Sequence, residues 1–478
     1  MLRNAVVVSI AAVASVGLSR AASADDTVGH RTTAWEQKGF AKREKAVRAL
    51  GKDYKQFLGA NKTEREVVAA ALKLAAKQGF KRDLFGDATG KLKPGSKAYA
   101  QVHGKLAALV IVGKQPLSEG VHIVAAHVDS VRLDLKQNPL YADGNLAMLE
   151  THYYGGVKKY QWLSEPLELR GVVVKKGGKV VHVAIGDDED EPVLVVPDIA
   201  KHVSFSVDRD EGEQVPGEKL DAVLSSTPAA RAGAGEDPFA AEAARLLESE
   251  YGIALDDLES AELELVPAAN PRDVGIDRAL IGGYGQDDRA CAYAALRALF
   301  DVRAPEHTAI VMLLDKEEIG SGGNTGAKSN FVRRVVAELL VATGVDAGEL
   351  DVNRALAASM VFSADVSGAI NPQYAELYDP KNNAFIGAGL IWDQSAVHAE
   401  VMSYVRSLFE SAGVLDQAAD WTKVGKSGGG TVLPYFTQHG MNGLDVSIPL
   451  LSMHSTYELI SVADLYEGYR GYKAFLSD

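Results

Sequence analysis

Apolar positions along the chain follow two rhythms. From residue 33 to about residue 81 they recur at helical spacing, with Val67, Val68, Ala71, Leu72 and Ala75 after the cap-like run Thr63-Glu64-Arg65-Glu66, and Gly79 closing the segment. Residues 101–112 alternate and then become continuously apolar, and Val121-His122-Ile123-Val124-Ala125-Ala126 reads as a buried strand that delivers His127-Val128-Asp129-Ser130 at its C-terminal end. From residue 139 to about 266 the texture changes to short β-like runs. Leu169-Arg170-Gly171-Val172-Val173-Val174 and Val180-Val181-His182-Val183-Ala184-Ile185 are separated by the turn-forming Lys176-Gly177-Gly178. The acidic run 187–191 is expected to be a solvated turn, and residues 225–238, rich in Ala, Gly and Ser, a mobile loop. After Asn270-Pro271 strands and helices alternate again. Residues 290–300, 331–343, 400–410 and 462–476 suit helices, and 309–314 and 358–364 suit strands. This pattern predicts an α/β sandwich whose strand ends carry a ligand site. An inserted, mainly β domain interrupts it.

Composition narrows the function classes. With 478 residues, two domains are the prior; a net charge of −14 argues against nucleic acid and anionic membrane surfaces as partners. The single cysteine, Cys291, excludes an intrachain disulfide framework and a cysteine-ligated zinc, and its apolar neighbours make it a core residue. At the N-terminus a short basic start, an apolar segment over residues 5–18 and the small residues Ala22-Ser23-Ala24 form the pattern of a cleavable export signal covering 1–24. A periplasmic or extracellular location is therefore expected, or a cytoplasmic one if that segment is not a cleaved signal. No other segment is long and apolar enough to span a membrane.

Five places put a metal-competent side chain where an apolar element meets a loop. His127 ends one strand, Asp287 opens a helix, Glu317 and Glu318 follow the strand 309–314, Asp365 follows 359–364, and His454 sits in Ser452-Met453-His454-Ser455. Each alone has an ordinary explanation as a boundary or turn residue. Together, two imidazoles and three carboxylates with one of them bridging are what a pair of zinc-like ions about 3.5–4 Å apart requires. Such a pair polarises a carbonyl and acidifies a bridging water. The remaining glutamate then takes that water's proton and returns it to the leaving amine, which is amide hydrolysis.

The blocks His127-Val128-Asp129-Ser130, Thr151-His152-Tyr153-Tyr154-Gly155-Gly156, Gly285-Gln286-Asp287-Asp288-Arg289, Asp315-Lys316-Glu317-Glu318-Ile319-Gly320-Ser321, Ser363-Ala364-Asp365 and Ser452-Met453-His454-Ser455 occur in the order seen in one family. From about residue 35 onward the chain resembles the aspartyl aminopeptidase and aminopeptidase I family of dinuclear zinc aminopeptidases, in its bacterial branch. The resemblance implies a zinc-exopeptidase catalytic domain over 25–136 and 268–478, with a mixed-sheet α/β/α sandwich, and an inserted β dimerisation domain over 137–267. It implies that His127 and Asp365 hold one metal, Glu318 and His454 the other, and Asp287 both. Glu317 becomes the general base and Asp129 the residue that orients His127 from behind.

By the same resemblance, His202 of the inserted domain completes the active site of a neighbouring subunit, so that activity needs at least a homodimer, with a homododecamer as a further assembly. Gly428, Gly429, Gly430 and Thr431 match the family's glycine-rich substrate loop. Two Zn²⁺ are implied per subunit, with Co²⁺ or Mn²⁺ as substitutes of overlapping ligand preference. The expected substrates are peptides with a neutral or apolar N-terminal residue, Lys423 and Lys426 being read as surface lysines. The chain departs from the family at Val131, where many relatives have proline, at Gly368, and in a shortened stretch over 386–393. Two other classes compete: a dinuclear deacylase or phosphoesterase, and an oligomeric binding shell without catalysis.

Overall fold

A strand covered on both faces needs apolar side chains at every position, and Val121–His127 and Thr308–Leu314 are buried throughout. The computed structural model describes residues 29–86, 91–204, 215–345, 347–393, 398–420, 423–425 and 429–478. The expected export signal therefore lies outside the described residues, as do Lys426 and Gly428. Successive side chains of these strands feed different cores. Val124, Ala126, Val311 and Leu313 pack with helices Phe40–Ala60, Glu64–Lys77, Gln286–Asp301, Ala399–Ala412 and Val462–Ser477. Ile123, Ala125, Ile310 and Met312 pack with helices Phe331–Thr343, Glu349–Ala357 and Leu433–Thr437. Helices on both faces of a mixed sheet make the α/β/α sandwich that the sequence predicts.

The thirteen-stranded sheet has a parallel centre in which Thr308–Leu314, Val121–His127, Met360–Ser363 and Asn442–Leu451 are successive neighbours. Leu314 stands opposite His127 and Ser363 opposite Ala125, so the C-terminal ends of these strands open onto one place. Beyond them Glu458–Ser461 runs antiparallel to Asn442–Leu451 and pairs with Leu280–Gly283, placing Gly283 opposite Glu458. The start of helix Gln286–Asp301 is thereby brought to the same end.

Phe362, on the strand that precedes Asp365, is fully buried. It stacks on Phe475 at 3.7 Å and meets Phe409 edge-on at 6.2 Å. Phe362→Ala is expected to lower the unfolding free energy by about 3–5 kcal/mol, lost contacts and a residual cavity both contributing. Urea unfolding should show an earlier midpoint with an unchanged slope; an unchanged midpoint would mean that the site closes over the missing ring.

The second sheet is drawn from residues 132–267. Ala261–Pro267, Arg132–Asp143, Leu146–Tyr154, Ala222–Ser225, Leu194–Val195 and Pro166–Val174 are successive neighbours, and Pro166–Val174 pairs back to Ala261–Pro267, closing the ring. Val180–Ile185 hangs on Pro166–Val174. The sheet begins at Arg132, ahead of the boundary expected at 137, because Val131 and Leu133 already point into its core. Residues 226–237 form the expected loop, and a helix not expected from the sequence, Pro238–Tyr251, follows it, its start marked by Asp237 accepting from the backbone of Phe239 and Ala240 and by proline at the first position. The acidic run is an exposed turn, as expected, in which Asp187 pairs with Arg170.

Buried charges tie the two sheets' surroundings together. Lys62, just before helix Glu64–Lys77, meets Glu168 at 2.6 Å with both side chains at least 97% buried. Arg170 meets Glu66 at 2.9 Å, Lys105 meets Glu64 at 2.7 Å, and Arg132 lies 3.2 Å from Glu264. The expected cap of that helix is present, with Glu66 N–H donating to Thr63 and the Glu66 carboxylate accepting from Thr63 N–H. Among the described residues no helix is long and apolar enough to cross a membrane.

Candidate metal centre

Six of the side chains singled out in the sequence converge at the C-terminal end of the parallel strands. His127 is the last residue of its strand, Asp365 follows Met360–Ser363, and Glu317 and Glu318 form a 3-10 turn behind Thr308–Leu314. That turn is set by Lys316 in the left-handed region. His454 lies beyond Asn442–Leu451, itself left-handed, and Asp287 sits in the first turn of helix Gln286–Asp301 with non-helical angles.

His127 Nε2 is 3.1 Å from Asp287 Oδ1 and 3.6 Å from Asp365 Oδ1. His454 Nε2 is 3.3 Å from Asp287 Oδ2 and 3.4 Å from Glu318 Oε2. The two oxygens of Asp287 thus face two different imidazoles. His127, Asp287 and Glu318 offer atoms within 4.8 Å of one another, and so do His127, Glu317 and Asp365.

The electrostatics of this group call for cations. Asp129, Asp287, Glu318, Asp365 and Glu458 are buried carboxyls gathered around two imidazoles. Burial pulls the His127 pKa down, but the carboxylates of Asp365, Asp129 and Asp287 outweigh it and hold it well above the histidine range. At His454 burial is likewise overcome, by Asp287 and Glu318, and the pKa rises to about 10. Burial pushes Glu317 up to about 7. Glu318 is driven well above the carboxyl range by burial and then by Asp287. Glu318 Oε1 is buried with no hydrogen-bond partner among the described residues. Excess negative charge, an orphaned carboxylate oxygen and an imidazole-plus-carboxylate donor set without thiolate fit zinc, with cobalt and manganese as chemical neighbours.

Asp129 lies behind His127 and also holds the neighbouring turn. The acceptor nearest to His127 Nδ1 is its backbone carbonyl at 2.9 Å, which turns Nε2 toward the cluster, while its carboxylate oxygen is 3.4 Å away. The carboxylate is drawn instead to the neighbouring turn, accepting the backbone N–H of Glu317 and of Glu318 at 3.2 Å each and the Tyr154 hydroxyl at 2.8 Å. The Arg132 guanidinium lies 3.8 Å over the Tyr154 ring.

Gly155 and Gly156 follow the end of strand Leu146–Tyr154. A Cβ on Gly155 would come within 3.1 Å of Glu318 Cβ, and one on Gly156 within 3.1 Å of His454 Nδ1. Gly156 O is also 3.1 Å from that nitrogen. Glycine here lets the second sheet touch both side chains.

His202 stands apart. It is exposed on the four-residue helical turn Lys201–Ser204 and joins none of the contacts that define the cluster. Of the glycine-rich stretch, Gly429 and Gly430 are exposed, and Thr431 donates to Asp445 Oδ1 at 2.7 Å. Asp445 pairs in register with Ser363, so the stretch is anchored beside the strand that precedes Asp365. Lys423 Nζ donates to the Glu376 carbonyl. Cys291 is fully buried, as expected.

Comparison with known proteins identifies the family and the fold. The family described as aminopeptidase I zinc metalloprotease (M18) matches residues 57–476. A probable M18 family aminopeptidase 1 of Clostridium acetobutylicum is 40% identical over 466 residues, covering 95% of this chain and all of that protein. The crystal structure of an M18 aminopeptidase from Thermotoga maritima superposes with a TM-score of 0.88 at 37% identity, over 94% of this chain and 99% of that one. The solved dodecamer of S. cerevisiae mApe1 has a TM-score of 0.72 over 90% of this chain and 97% of that one; at 23% identity it shows a shared fold.

Proposed function

The chain belongs to the aminopeptidase I zinc metalloprotease (M18) family and is a zinc aminopeptidase, and from that premise we propose how its cluster divides the work. His127 and Asp365 would hold one zinc and Glu318 and His454 a second, with Asp287 available to both. The single observation behind this division is that each oxygen of Asp287 faces a different imidazole, at 3.1 and 3.3 Å. When bound, the ions supply Lewis-acid polarisation of the scissile carbonyl and a water acidic enough to attack it near neutral pH.

The chain's own groups do the rest. Glu317, unlike its neighbour, is spared for proton transfer: it takes the proton of the attacking water and hands it to the departing amine. Burial raises the Glu317 pKa in the metal-free chain, and any cation nearby favours the carboxylate that must act first. Asp129 keeps Glu317 and Glu318 in place by gripping their backbone. The exposed stretch at Gly429 and Gly430 offers backbone to a peptide, and substrates with neutral or apolar N-terminal residues are the proposed class.

The test is metal content together with a panel of aminoacyl p-nitroanilides, N-acyl amino acids and phosphate esters. Near two zinc ions per chain and hydrolysis of the anilides alone are expected. Turnover confined to the other two groups would overturn the reading.

Two further proposals concern assembly and location. His202 is assigned to the active site of a neighbouring subunit, a reading supported by its exposed position away from its own cluster and by the family resemblance. The chain is then at least a homodimer, with a homododecamer as the larger assembly. His202→Ala and Glu317→Gln chains should each be nearly inactive alone. Refolded together in equal amounts as dimers they should recover about a quarter of wild-type activity, because half of the pairs are mixed and one site in each mixed pair is whole. No recovery in the mixture would place His202 elsewhere in the mechanism. The leader pattern over 1–24 supports export.

A further inference from the structure

Glu458 opens the strand Glu458–Ser461, four residues after His454 and opposite Gly283. It is 2% exposed. Its Oε1 accepts the backbone N–H of His454 at 2.7 Å, and its Oε2 accepts the backbone N–H of Asp287 at 3.1 Å. Gln286 reaches back with Nε2 to the Glu458 carbonyl at 2.6 Å. One carboxylate thus joins the segments of His454 and Asp287, each at the point where its side chain meets the other's, His454 Nε2 to Asp287 Oδ2 at 3.3 Å. Both segments leave regular backbone there, His454 at φ 62° and Asp287 at φ −81°, ψ 107°.

We infer that Glu458 is a positioning residue that sets the spacing between Asp287 and His454, and through it the affinity of the second zinc. The inference rests on the ligand assignment proposed above. Asp129 grips the backbone of Glu317 and Glu318 in the same manner. The requirement for a carboxylate follows from the two donors. A glutamine offers one acceptor and one NH2, and its NH2 would face a backbone N–H, losing one bond and opposing two donors. Asp287 keeps another backbone anchor, its carbonyl accepting from Ser130 Oγ at 2.7 Å, so the loss should fall on His454.

A buried carboxylate that takes two backbone N–H groups also occurs where it touches no site. Asp464 is fully buried and accepts from Gly387 at 2.6 Å and Gly389 at 2.8 Å. It serves as the control for a merely structural role.

The experiment strips wild-type, Glu458→Gln and Asp464→Asn protein of metal and titrates zinc back by equilibrium dialysis, with melting temperature, kcat and KM measured on the same samples. In Glu458→Gln the second zinc equivalent should bind about 10- to 100-fold more weakly, with the first little changed and kcat falling more than KM moves. Asp464→Asn should melt earlier and take up both equivalents as wild type does. If Glu458→Gln does not fold, Glu458→Asp, still anionic but too short to span both N–H groups, carries the same expectation. Wild-type affinity for both equivalents in a folded Glu458 variant overturns the inference. Fewer than two equivalents in the wild-type chain would instead bring down the ligand assignment, and the inference with it.

Discussion

Glu317→Gln is expected to lower kcat by about three powers of ten, within the 10²- to 10⁴-fold range of a lost general base, with both zinc ions still bound. The amide is nearly isosteric with the carboxylate, and the backbone N–H of residue 317 would still donate to Asp129, so the turn should survive. What disappears is a group able to take a proton. KM should change little, because Glu317 is assigned no part in holding the ground-state peptide. Metal analysis separates the outcomes: a dead variant with two zincs supports the assignment, and one that has lost a zinc makes Glu317 a ligand.

Asp287→Ala should do more damage. The substitution removes the one carboxylate that, among the described residues, pairs with both His127 and His454, so zinc content should drop below one per chain and activity below detection. The clearest reading is thermal. Zinc at about a thousandfold excess over its dissociation constant should stabilise the wild-type fold by about 4 kcal/mol, and the variant should show almost none of this shift. A variant that keeps its zinc-dependent shift would show that Asp287 is not shared.

The parts of the fold legible in the sequence are those whose burial is complete. Val121–His127 and Thr308–Leu314 are apolar at nearly every position because both faces are covered, and their charged successors stand out against that background. The six clustered side chains were readable for the same reason. Helix Pro238–Tyr251 was missed because alanines dominate it and only Ala243 and Leu247 are buried; the Asp237-Pro238 start was the available signal. The tasks of Gly155, Gly156, Tyr154 and Glu458 leave no local trace. A glycine that admits a neighbour, or a carboxylate that takes backbone N–H groups from a segment 171 residues away, is defined by tertiary approach. Asp129 was found, but two of its carboxylate's partners lie 188 and 189 residues further on.

The charged seam at Lys62, Glu168, Arg170 and Glu66 bears on how firmly the second sheet is held to the sandwich. Deleting one partner of such a buried pair costs about 3–5 kcal/mol, because the other charge is left stranded in the interior. A Lys62→Met chain is therefore expected to loosen the second sheet from the sandwich. Limited proteolysis at the seam is expected to be slow in the wild-type chain and faster in that variant.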